Sequence, residues 1–152
     1  MPIPSRYIPK SLSKNDFNKQ LRGIIKSRKL YTSGKYYKRP QVKSFKTKKS
    51  PHIIKAKRIY KINHFGATRE LSRKTHCNLK TLNKIINKGK GAYYSSGSRP
   101  NQTPESWGLA RLASSLTGGK ASIVDFNLLE EGCSKRSRAL KLARRIQNKN
   151  IR

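Results

Sequence analysis

Acidic side chains are scarce in this chain: six Asp and Glu stand against 37 Lys and Arg in 152 residues, a formal net charge of +31. Such a surplus cannot be neutralised from within, so compaction needs either a good core or an anionic partner. Core material is thin as well. Leu, Ile, Val and Phe total 32 residues, close to the range in which disorder becomes the default. One modest core is therefore expected, with other segments ordered by what they bind. Cysteine is nearly absent. Cys77 and Cys133 lie far apart in sequence and define no disulfide framework, which points to a reducing compartment. No apolar run approaches the roughly 20 residues that span a bilayer, and the opening MPIPSRYIPK lacks the apolar centre of a secretory signal.

What is present is a cationic chain punctuated unevenly. Residues 1–64 carry 19 basic side chains, one acid (Asp16) and five of the seven prolines. They read as a basic arm, punctuated by proline and aromatics, with helices near 13–31 and 51–61. Ser13 and Asp16 resemble a capping box, and Phe17, Leu21, Ile24 and Ile25 fall at helical spacing behind it. Gly34 suits the helix stop. Residues 35–50, KYYKRPQVKSFKTKKS, keep no period and read as extended. Ser50-Pro51 opens the second helix, with Ile53, Ile54, Lys57 and Tyr60 on one side.

With a boundary near Asn63–Phe65, residues 65–152 read as a small helical domain of four to five short helices. Thr68, Asn78, Thr103 and Ser134 are the expected caps. One helix ends at Gly89, one at Gly118-Gly119, and a short one covers Ile123–Glu131. Ala139, Leu142, Ala143 and Ile146 face inward on the last. The fold class is mainly α.

Four patterns invite a chemical reading. TGGKAS (117–122) fails as a phosphate loop, because Ala121 follows Gly119-Lys120 and Ser114 stands where the first glycine belongs. GKGAYYSSGSRPNQTPESW (89–107) reads as a shaped connector. Its glycines permit a tight path, Tyr93, Tyr94 and Trp107 anchor it, and Arg99 is its best anion contact. ATRELSRKTHCNLKTLNKII (67–86) has helix-turn-helix spacing. Lys80, Thr81, Asn83, Lys84 and Asn87 would face outward, suited to phosphates and base edges. The plain helical hairpin is the competing account. His52, His64, His76, Cys77 and Cys133 show no metal-site spacing. The acids are too few and isolated for a catalytic set, so no enzyme activity, cofactor or small-molecule substrate is expected.

RYIPKSLSKNDFNKQ…SRKLYTSGKYYKRPQVKSFKTKKSPHIIKAKRIY and KGKGAYYSSGSRPNQTPESWGLARLASSLTGGKASIVD resemble small basic proteins of large double-stranded DNA viruses, of the phycodnavirus and mimivirus kind. The resemblance implies a virion protein made in the infected cell, and specifically a minor capsid component on the inner side of the shell. Its partners would be major and other minor capsid proteins, with an anionic inner membrane or genomic DNA as further anionic neighbours. A stapling arm would then use Tyr7, Phe17, Tyr31, Tyr36, Tyr37 and Phe45 to fill partner pockets. Lys38, Arg39, Lys48, Lys49 and Arg99 would supply charge, as would Arg136, Arg138, Arg144 and Arg145 on the last helix. A DNA-condensing or helix-turn-helix protein is the alternative that the same charge allows.

Overall fold

Side-chain oxygens start most of the helices. In the computed structural model, which describes residues 2–151, a 3-10 turn (Ser5–Tyr7) precedes α1 (Lys14–Thr32), α2 (Pro51–Tyr60), α3 (Arg69–Thr75) and α4 (Leu79–Ser95). Then come α5 (Pro104–Leu116), α6 (Ala121–Val124), α7 (Phe126–Gly132) and α8 (Arg138–Ile151). The described residues contain no strand, and the chain is mainly α. Ser13, Ser50 and Thr68 each accept the N–H three residues ahead, which satisfies one orphan donor per helix start. Asn78 does so for α4, its Oδ1 taking the Thr81 N–H at 2.7 Å. At α5 the cap is reciprocal. Ser106 N–H donates to Thr103 Oγ1 at 3.0 Å, and Thr103 N–H donates to Ser106 Oγ at 2.9 Å.

Several expectations need correction. Gly89 does not end a helix; α4 runs through it to Ser95. The reason is a close helix crossing. A Cβ placed on Gly89 would sit 2.6 Å from Gly108 Cα, and one on Gly108 would sit 2.7 Å from the Ile86 carbonyl oxygen. Glycine is needed there for backbone approach. The helix expected over Ile123–Glu131 is broken in two at Asp125. Ser137, not Ser134, caps α8 through the Leu140 N–H at 3.2 Å. Six helices, α3 to α8, follow residue 65, one more than the upper expectation of five, because the break at Asp125 makes two helices of one. On α2 the inward residues are Ala56 and Tyr60, with Ile54 53% exposed.

The chain divides differently from the expected boundary at Asn63–Phe65. One compact unit takes Met1–Lys48 with Lys90–Trp107, and the other takes Lys49–Gly89 with Gly108–Arg152. Residues 49–62 join the second unit because Ala56, Tyr60 and Ile62 bury themselves with Leu71, Leu82, Ile85, Leu112, Leu116 and Leu129. Tyr60 donates its hydroxyl to the Leu116 carbonyl at 2.5 Å, and burial pushes its phenol pKa upward.

The cysteines also correct the sequence reading. Cys77 and Cys133 form a disulfide, flanked by the Asn78 N–H to Gly132 carbonyl and Ser134 N–H to His76 carbonyl bonds, both 2.8 Å. Sequence separation hid a spatial pair, so the cysteines do not support a reducing compartment.

Two outcomes are expected in urea unfolding. Gly108→Ala should destabilise by about 2 kcal/mol through overpacking against a backbone carbonyl. Gly91→Ala, also in α4 but facing only the Tyr31 hydroxyl at 3.5 Å, should be neutral or gain up to ~1 kcal/mol of helix propensity. Separately, the disulfide closes a loop of sequence separation 56. Cys77→Ser with Cys133→Ser should cost about 4 kcal/mol on chain-entropy grounds, read as a drop in the urea midpoint without reductant.

Candidate anion-binding surfaces

The first unit is organised around a half-buried cation that meets no carboxylate. Arg39 lies in the non-helical stretch after α1, and its guanidinium carbon sits 3.8 Å over the centre of the Tyr93 ring. Its Nη1 donates to Ser27 Oγ at 3.1 Å and to the Tyr93 carbonyl at 2.8 Å, and its Nη2 donates to Ser98 Oγ at 2.8 Å. Its backbone N–H donates to the Tyr93 hydroxyl at 2.9 Å. Desolvation lowers the Arg39 pKa, opposed by the neighbouring tyrosines. Gly23 permits the approach, since a Cβ there would lie 3.3 Å from the Arg39 methylenes.

Around this node residues 1–48 close onto 90–107. Buried Gln20 donates to the carbonyls of Tyr7 and Ser98. Ser27 donates to the Tyr94 carbonyl, and Arg28 Nε donates to that of Ser96. Asn101 brackets the stretch beyond Arg39, accepting from Val42 N–H at 2.7 Å and donating to the carbonyls of Val42 and Phe45. The capping box expected at α1 is opened by Ser44. The Ser13 N–H donates to Ser44 Oγ, and Asp16 accepts the Ser44 N–H at 2.9 Å. Ser44, through its side chain and then its backbone N–H, holds the Asp16 carboxyl below its usual pKa. The inner face of α1 is Gln20, Gly23, Ile24 and Ser27, with Ile25 53% exposed, so the expected apolar stripe is only partly the buried one.

This arrangement relocates the aromatics assigned to a stapling arm. Tyr7 is buried and meets the Trp107 ring edge-on at 5.7 Å. Tyr31 stacks on Tyr94 at 6.1 Å, and Tyr36 tilts over both. Phe17, Tyr37 and Phe45 are half-buried, and Lys26 sits over the Tyr37 ring at 4.4 Å. Only Tyr36, at 71% exposure, stands largely free. The rings are used to fold the unit, and Arg39, assigned to a partner, is bonded inside it.

The remaining assigned cations do face outward. Lys38, Lys48, Lys49, Arg99, Arg136, Arg138, Arg144 and Arg145 are exposed, with Arg144 3.9 Å from Glu130. On α4, Lys80, Asn83, Lys84 and Asn87 are exposed along one side. Thr81 is not available: it is buried, and a Cβ on Gly132 would overlap it. His76 takes the turn before α4 in the left-handed conformation, φ 55°.

Two open clefts carry cations and no acid. One, of about 350 Å³, is lined by Asn15, Asn18, Lys19, Arg22, Gly23, Lys26, Tyr37 and Pro40. The other, of about 460 Å³, is lined by Lys55, Arg58, Ile59, Lys61, Thr117, Arg138 and Leu142. Sequence reasoning singled out neither set. Helical spacing of Asn15, Lys19, Arg22 and Lys26 is readable, but the wall from Tyr37 to Pro40 depends on the Arg39 node.

Asp125 was also missed. Fully buried, it receives Arg111 through two bonds, Nε to Oδ2 at 3.0 Å and Nη2 to Oδ1 at 2.7 Å, and the Ser115 hydroxyl at 2.8 Å. A lone acid inside the apolar run IVDFNLL is the signal that could have found it, since a buried charge must be paired. Its role is structural. Among the described residues no group of three His, Cys, Asp or Glu side chains could hold a metal ion, and no helix is long and apolar enough to cross a membrane.

Residues 4–130 match the sequence model of a family of unknown function, DUF5824. The chain belongs to this family. The match takes in α1 to α6 and most of α7, and stops short of Cys133 and α8. No curated protein matches the chain, and no solved structure does.

Arg39→Lys should cost at least about 3 kcal/mol, since an ammonium cannot reproduce the fork that reaches three oxygens. Trp107 is the sole tryptophan and lies in the same unit, so its emission in urea reads the loss directly. An unchanged midpoint would remove Arg39 from the centre of that unit.

Proposed function

We propose that the protein is a non-enzymatic structural component of a virus particle, a minor capsid protein that holds acidic faces of larger subunits against its cationic outside. One observation carries this reading. The polar groups of the first unit are bonded to one another, while the charge surplus points outward: four cations, Lys74, Lys88, Arg111 and Arg144, lie within 4.0 Å of a carboxylate among the described residues. The two clefts are open and cationic, which suits an anionic surface and offers no acid for general acid–base or metal-ion chemistry. The aromatics act differently from the staple first expected. They set the shape of a pre-folded basic body, which then loses less conformational entropy on docking than an unstructured arm would.

A second reading has its own support. The exposed Lys80, Asn83, Lys84 and Asn87 follow a tight left-handed turn, the kind of polar helix face that enters a major groove.

Fractionation of purified particles decides between them. After nuclease treatment and removal of the genome, the protein should remain with the shell, detected by immunoblot. Recovery with the released genome would overturn the capsid reading in favour of the nucleic-acid one.

A further inference from the structure

The cleft along α1 has features that a diffuse cationic surface lacks. Asn15, Lys19, Arg22 and Lys26 recur at steps of four, three and four residues, which places them on one face of α1. Their rises are about 6, 4.5 and 6 Å, some 16 Å in all. The opposite wall, Tyr37 to Pro40, is held by Arg39, whose methylenes cover Gly23 at the cleft floor. The groove is thus built before any ligand arrives.

Its donors remain usable. Lys19 spends one of its three N–H groups on the Gln41 carbonyl, at 3.1 Å. Arg22 is exposed. Lys26 is held over the Tyr37 ring, which fixes its position without neutralising it.

We infer that this groove binds an extended acidic peptide segment, with carboxylates on alternate residues paired to Lys19, Arg22 and Lys26. The inference rests on the capsid reading, and it names the chemistry of the partner. A strand presents same-side residues every 6.6–6.8 Å or so, close to the ~6 Å rise from Arg22 to Lys26, and the shorter ~4.5 Å rise from Lys19 to Arg22 is made up by the reach of those long side chains. The neutral lining separates peptide from nucleic acid. Asn15 and Asn18 offer both donors and acceptors, the complement of peptide C=O and N–H, whereas a phosphodiester backbone presents acceptors alone. Nor does the groove offer a base-stacking platform of the usual kind, because Lys26 already covers a face of Tyr37.

The test uses the full chain and a fluorescein-labelled peptide of four Glu-Val repeats, followed by anisotropy at about 0.15 M salt, where weak surface attraction is largely screened. The variant Lys19→Gln, Arg22→Gln, Lys26→Gln should weaken binding about tenfold or more, the sum of three charge contacts. A control removing equal charge elsewhere, Lys57→Gln, Arg73→Gln, Lys120→Gln, should change it less than about twofold. Thermal melts of both variants verify that these exposed replacements leave the fold intact. Equal losses in the two variants would mean that total charge alone attracts the peptide, and the groove fails. An eight-residue thymidine oligonucleotide that binds more tightly, and loses more in the first variant than in the second, would reassign the groove to nucleic acid. The capsid reading is judged apart from this, by particle fractionation. Retention in the shell with an indifferent groove variant sinks only the groove, whereas departure with the genome sinks the parent reading whatever the peptide does.

Discussion

A protein with six acids among 37 bases has few carboxylates with which to hold its half-buried cations, and one of those cations does without. Arg39 shows how: two serine hydroxyls, a backbone carbonyl and an aromatic face surround its guanidinium. Neutral oxygens cost little to desolvate compared with an ion, and a charged donor strengthens each bond it makes to them. The same solution recurs throughout. Gln20, Ser27, Thr75, Ser98, Ser115, Thr117, Ser122 and Ser137 are buried, and each has a hydrogen-bond partner in the fold. Two acids are drawn into the framework, Asp16 at the start of α1 and Asp125 at the break between α6 and α7. Polar satisfaction by hydroxyls leaves the lysines and arginines free to face outward.

That division of labour bears on function. A body whose interior polar groups are matched internally presents an outside made mostly of charge, and charge of one sign sets association rate and partner class more than geometry does. Geometry enters only where the chain has made walls, and the α1 cleft is one such place. Its outer wall is part of a stretch without helix, Lys35 to Lys48, pinned by Arg39 at one point and Asn101 at another.

The helices were largely legible, and the reason is local. Ser50-Pro51, Thr68, Asn78 and Thr103 are caps whose effect is spent within a few residues, so spacing alone finds them. Within those helices Leu82 and Ile85, and Leu112 and Leu116, recur at steps of three and four residues and are wholly buried with Leu71. What failed depends on distant segments. Gly89 looks like a stop until Gly108 lies against it. The tyrosines of the arm look outward-facing until residues 90–107 supply their partners. Cys77 and Cys133 look unrelated until His76 and Ser134 pair their backbones. The inner face of α1 was misjudged because Gln20 and Ser27 face backbone carbonyls, where amide and hydroxyl do better than methyl groups.

The contact between Gly89 and Gly108 fixes more than a helix spacing. Gly89 is the last residue of one stretch of the second unit, and Gly108 is the first of the next. The chain therefore departs from that unit and re-enters it at a single spot, where two backbones touch. Everything from Lys90 to Trp107 is an excursion with coincident ends. Its content is nonetheless tied down within the first unit, where the Tyr93 carbonyl and Ser98 hold Arg39 and Asn101 holds Val42, so one short excursion carries the partners of a whole second body.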